Sequence, residues 1–227
     1  MGDTDRIPLR YTEKRKGRNV YDWAMMNCVL DSKLILDVME SPPSLEDLKK
    51  EVSFAKVYHK GGAIPRMFAL QGSRDESSRL PLYRHPLDCE PGLKPFSPGV
   101  LAIKTAVERL IGSTPFNHCL LQLYRNGDDF IGEHADKTLD IERGSPIVNF
   151  SLGATRVLVL REKHKVPDKE KDKVQDKGIE GKGKESSGTR GIVRVPLPSN
   201  SCFVLGPETN RLYLHGIKAD RRAAAER

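Results

Sequence analysis

Apolar residues along this chain keep two different periods, and the change falls near residue 112. Before it the spacing is mostly helical. From Ser32 onward Leu34, Ile35, Val38 and Met39 recur at helical intervals, which predicts a helix with Asp31 or Ser32 as its N-cap. PPSLEDLKKEVSF predicts a second helix, with Ser44 capping it and Asp47 at the third position after the cap. AKVYHKGG and PRMFALQG predict two strands joined by a Gly-Gly turn. Residues 73–98, with five prolines among Ser, Asp and Arg, read as loop. SPGVLAIKTAVERLIGSTPF carries the clearest helical pattern in the chain. Ser97 caps it, Val100, Ile103, Val107, Leu110 and Ile111 form its apolar stripe, and Gly112 ends it.

After residue 112 the pattern becomes short strands. NHCLLQLYR predicts one, PIVNFSLGATRVLVLRE two with Gly153 between them, and GIVRVPLP, SCFVLG and LYLHGI one each. Helices first and at least six strands afterwards predict an α+β, mainly β architecture: a sheet with helices on one side, or a two-sheet jelly roll. Two segments fall outside this pattern. Residues 1–18 read as a flexible basic arm. Residues 163–190 have almost nothing apolar and alternate Lys with Asp or Glu, which predicts a disordered insertion that cannot bury a core. A single domain over 19–227 remains, with helices in 19–112 and the strand-rich part in 113–227.

Composition narrows the class. The 227 residues carry a net charge of +7, with 30% charged and 37% hydrophobic residues. Within 163–190 nine basic residues stand against six acidic ones, so the insertion supplies +3 of that charge. A basic balance favours polyanionic partners such as nucleic acid, although a lysine-rich solvated surface gives the same sum. Cys28, Cys89, Cys119 and Cys202 are far apart and form no CxxC pair, so reduced thiols are expected. No apolar run approaches the roughly 18 residues that span a bilayer. The expectation is a soluble chain of nucleus or cytoplasm, with EKRKGR at 13–18 as a short basic run of the nuclear-signal kind.

The densest chemistry lies in LYRNGDDFIGEHADKTLD, residues 123–140. His134 and Asp136 are two apart. In a strand such residues share a face, so an imidazole and a carboxylate would converge. A mixed N/O pair suits a borderline divalent metal, but HxD alone is also an ordinary polar turn. His215, at the end of LYLHGI, is the third candidate. Two His and one carboxylate make a facial triad that leaves three positions open on Fe(II). The other histidines compete poorly: His59 lies in a hairpin, His85 among prolines, His164 in the insertion, and His118 alternates with a core face. No HExxH and no GxSxG is present. Asp129 and Glu133, close to the pair, are expected as exposed turn carboxylates.

FNHCLLQLYRNGDDFIGEHADKTLDIERGSPIVNFSLGATRVLVLR, with PLPSNSCFVLGPETNRLYLHGI after it, resembles the AlkB family of Fe(II)/2-oxoglutarate dioxygenases. The likeness is to its nucleic-acid demethylases, in a fungal-type variety, and runs from about GGAIPRMFALQG to His215. It implies a double-stranded β-helix, a jelly-roll variant, with a nucleotide-recognition lid built from the N-terminal helices and a hairpin. His134, Asp136 and His215 would bind Fe(II). Tyr124 falls where the family has a tyrosine touching 2-oxoglutarate, and Gln122 where many relatives have Asn. Arg66, Tyr83 and Arg84 fall in the lid and become candidates for contacts to a flipped nucleotide or its phosphates. The implied reaction is oxidative demethylation of N-alkylated bases in DNA or RNA. It consumes 2-oxoglutarate and O2, hydroxylates the alkyl group and releases formaldehyde.

The family's C-terminal strand, which reads like R-x-S-L-T-F-R and pairs arginines with the 2-oxoglutarate carboxylates, has no counterpart before the chain stops at KADRRAAAER. Arg227, twelve residues after His215, suits the first of those arginines; Arg221 and Arg222 are weaker substitutes. The chain is thus expected to be truncated, or inactive as it stands. Two alternatives stay open: a degenerate fold that binds nucleic acid without turnover, and a dioxygenase acting on a protein.

Overall fold

Strand pairing organises most of the chain. A computed structural model describes residues 11–15, 18–22, 31–59, 62–81, 92–112, 115–163 and 191–222. Strands β1 (Tyr11–Arg15), β2 (Arg18–Asp22) and β3 (Lys33–Ile35) come first, followed by helix α1 (Leu45–Glu51) and the hairpin β4 (Ala55–His59) and β5 (Gly62–Gly72). Helix α2 (Pro98–Ile111) leads to β6 (His118–Leu123), β7 (Ile131–His134), β8 (Ile147–Ser151), β9 (Arg156–Glu162), β10 (Ile192–Leu197) and β11 (Ser201–Leu205). Helix α3 (Pro207–Leu212) runs directly into β12 (Tyr213–Ile217).

The strands form a five-stranded sheet ordered β1-β2-β3-β11-β8, a four-stranded sheet ordered β10-β9-β12-β7, and a three-stranded sheet ordered β4-β5-β6. The first two pack face to face, as a jelly roll requires. Leu34, Phe203 and Leu205 of one sheet meet Leu158, Leu160, Val193, Val195, Tyr213 and Ile217 of the other in one buried cluster. Each such side chain contributes about 1.5–3 kcal/mol by leaving water. The alternate residues Ile35, Cys202 and Val204 face the other way, onto Val107 and Leu110 of α2. β11 is therefore buried on both faces along its whole length.

This two-sided burial corrects the first predicted helix. Residues 33–35 form β3, not a helix. Leu34 and Ile35 are both buried because adjacent strand residues enter different cores. Val38 follows after Asp37, which has φ +52°, and the sum imitates a helical stripe. Tyr11–Arg15 is likewise paired as a strand with β2, where the sequence reads as arm. The ladder there is made by main-chain groups, which a charged composition does not announce. The region read as an insertion lies, from residue 164 to residue 190, outside the described residues.

The other predicted helices hold. Ser44 Oγ accepts the Asp47 N–H at 3.0 Å and starts α1. α2 spans its predicted range and ends on Gly112, whose φ of +66° suits glycine. At its start the Ser97 hydroxyl makes no capping bond. Glu51 of α1 accepts the Gly99 N–H there instead, at 2.9 Å.

Candidate metal centre

His134 ends β7, and His215 lies directly opposite it on β12. Both side chains therefore leave neighbouring strands at the same level. Gly216 makes the approach possible. A Cβ there would come within 2.9 Å of the Ile131 carbonyl oxygen and 3.0 Å of the Glu133 nitrogen. The glycine of the HGI motif thus allows two backbones to touch beside the two imidazoles.

Asp136 does not share a strand with His134, as the HxD spacing suggests, because β7 stops at His134. Its main chain is held by Asn210 of α3. The Asp136 N–H donates to Asn210 Oδ1 at 2.9 Å, and Asn210 Nδ2 donates to the Asp136 carbonyl at 3.0 Å. The carboxylate then reaches both rings, with Oδ1 3.4 Å from His134 Nε2 and Oδ2 3.4 Å from His215 Nε2. The imidazole centroids are 4.4 Å apart and tilted by 51°.

One donor atom from each residue lies within 4.8 Å of the others, so the three can hold one metal ion. The donor set fits a borderline divalent ion. The His134 Nδ1 edge bonds the Gly132 carbonyl at 2.9 Å, which leaves Nε2 as the ligand edge. His215 Nδ1 is buried and has no hydrogen-bond partner among the described residues, while Nε2 points into the cluster. Burial opposes ionisation of Asp136, but the two imidazoles outweigh it and hold its carboxyl well below the usual range. Burial also pushes His134 down; Asp136 and the Gly132 carbonyl more than offset this, and the net direction is up.

Tyr124 packs against the main core, and burial pushes its phenol up to about 12. The Arg156 guanidinium lies 5.3 Å from the centre of its ring. Arg156 donates to the Asp129 carbonyl at 2.8 Å and the Lys218 carbonyl at 2.6 Å, tying the loop after Tyr124 to the end of β12. Gln122 sits on β6 opposite Phe68 of β5. Its Oε1 accepts Arg66 Nε at 2.6 Å, and Arg66 also donates to the Phe130 carbonyl at 3.0 Å. Arg66 is therefore seated against the candidate 2-oxoglutarate residues. Tyr83, Arg84 and Arg227 lie outside the described residues.

The two neighbouring acids differ from expectation. Asp129 is buried, not an exposed turn carboxylate, because Arg125 neutralises it through two side-chain bonds of 2.9 and 2.8 Å. Glu133 pairs with Arg161 at 2.6 Å and is partly covered. Neither carboxylate hydrogen-bonds His134 or His215 among the described residues. Asn210 gives no sequence signal of its own. Its only hint is the position five residues before His215.

The family model described as "2OG-Fe(II) oxygenase superfamily" matches residues 33–227. The chain belongs to this superfamily. Fe(II), 2-oxoglutarate and O2 are the cofactor and co-substrates that go with it, and the His-His-Asp cluster agrees with the first. The chain is similar to the DNA oxidative demethylase ALKBH2 of Homo sapiens, at 29% identity over 195 residues, covering 83% of this chain and 66% of that protein. The Bos taurus protein of the same name is 27% identical over 209 residues, covering 89% and 66%. The chain thus spans just under two thirds of the length of these two relatives. Its fold is similar to the solved structure of OsALKBH1, with a TM-score of 0.51 at 18% identity, covering 84% of this chain and 85% of that one. Among the described residues no helix is long and apolar enough to cross a membrane.

Proposed function

We propose that this chain oxidatively demethylates N-alkylated bases in DNA or RNA, with His134, Asp136 and His215 as the iron ligands. The observation that carries the reading is the convergence of their donor atoms within 4.8 Å. The similarity to proteins named as DNA oxidative demethylases supports the substrate class. Fe(II), with 2-oxoglutarate and O2, supplies the oxidising power for hydroxylating the alkyl carbon; the hydroxylated product then sheds formaldehyde.

The chain's own groups prepare that chemistry. Asp136 stays ionised and gives the centre one negative charge. His134 presents Nε2 because its other nitrogen is engaged with Gly132. Three protein ligands leave room for co-substrate and oxygen. The Arg66 guanidinium, which bonds the Gln122 amide, and the Tyr124 hydroxyl are the donors proposed for the 2-oxoglutarate carboxylates. The positive net charge favours the phosphate backbone of the substrate.

Formaldehyde release from methylated oligonucleotides, dependent on 2-oxoglutarate, tests the reading. His134→Ala is expected to abolish release while leaving oligonucleotide affinity largely unchanged. Release that persists in that variant would remove His134 from the centre. Oligonucleotide binding with no release by the unaltered chain would favour a binding module instead.

A further inference from the structure

We propose that Asn210 is a positioning residue that sets the metal affinity of the centre by clamping Asp136; this rests on reading His134, Asp136 and His215 as the metal ligands. Asp136 needs such a device. The two histidines are fixed by a strand ladder, but Asp136 lies beyond the end of β7 and belongs to no strand or helix. Asn210 supplies one acceptor and one donor to the two main-chain groups of that single residue. A side-chain amide carries its acceptor and its donor on separate atoms, so it can serve both groups at once. Asn210 is buried, so water does not compete for these bonds.

The clamp is itself anchored from two remote parts of the chain. Asp31 accepts the Glu208 and Thr209 N–H groups at 2.9 Å each and the Thr209 hydroxyl at 2.7 Å. Ser32 Oγ accepts the Gly206 N–H at 3.0 Å. At the other end Lys163 Nζ donates to the carbonyls of Asn210 and Arg211, at 2.9 and 2.8 Å. A six-residue helix would not hold its shape alone. With both ends tied, α3 becomes a rigid bracket that reaches Asp136 through Asn210 and continues into the strand bearing His215.

Mn(II) alone, titrated into the full chain and followed by the resonance signal of the free ion, tests this. Asn210→Ala is expected to weaken Mn(II) binding by about tenfold or more, with the metal-free protein still folded by circular dichroism. Wild-type affinity in a folded Asn210→Ala overturns the proposal. His134→Ala, titrated alongside, separates the two levels. If it binds Mn(II) as the unaltered chain does, the ligand assignment fails and the clamp with it. If it loses Mn(II) while Asn210→Ala does not, the ligands stand and the clamp alone falls. Hydrogen exchange on the unaltered, metal-free chain covers the case in which Asn210→Ala does not fold. The Asp136 amide is expected to exchange at least about tenfold slower than a free peptide; exchange at the free rate overturns the proposal.

Discussion

Arg66 shows how one residue can serve more than one neighbour. Its guanidinium bridges the Gln122 amide and the Phe130 carbonyl and lies 4.6 Å over the Phe68 ring. Arg66→Ala leaves the Gln122 amide to rotate, so the apparent KM for 2-oxoglutarate is expected to rise by about tenfold, the worth of one hydrogen bond to a charged group. Arg66→Lys should not restore it, because a point charge cannot bridge both acceptors. Steady-state kinetics at varied 2-oxoglutarate measures both. Asp129 adds a pH effect. Its bonds to Arg125 hold its carboxyl below the usual carboxylate range. A carboxyl depressed on folding stabilises the protein above its unfolded pKa, and that contribution fades as pH falls below about 4. Denaturant midpoints measured between neutral and acid pH should therefore drop more steeply for the unaltered chain than for Asp129→Asn.

Elements were legible where one face of them is buried and opaque where the burial or the pairing comes from far away. α2 has one apolar stripe and one cap glycine, and its range was read directly. The strands from β8 to β12 alternate or run apolar between turn residues, so their order was read too. β3 was misread because both its faces are buried. Asp31 was assigned the right task on the wrong helix: it caps α3, at Glu208 and Thr209, from 177 and 178 positions away. Sequence spacing cannot reveal a cap supplied across such a distance. Asp31→Ala is expected to destabilise the fold by about 1 kcal/mol, the usual cost of a lost cap, visible as a lower melting temperature. The convergence of His134, Asp136 and His215 was legible, but not the means by which Asp136 is held. That means is a pair of bonds from Asn210, a residue type found in any loop.

At the scale of the molecule, two sheets share one core, and the candidate metal cluster sits where β7 and β12 meet. Residues 163–190 carry +3 of the net +7, so the rest of the chain is only mildly basic. The most consequential large-scale feature is the place of β11. It lies between β3 and β8 in the sheet although it is made long after both. During synthesis β3 and β8 emerge with no neighbour on the side that β11 will occupy. Two unpaired strand edges wait in the growing chain, each able to recruit another molecule. Closure demands contacts across about 170 residues, which makes it slow. The young polypeptide therefore has a long interval in which its own later segment competes with strangers for the same slot. Its yield in a cell depends on whatever shields those edges until residue 205 has left the ribosome.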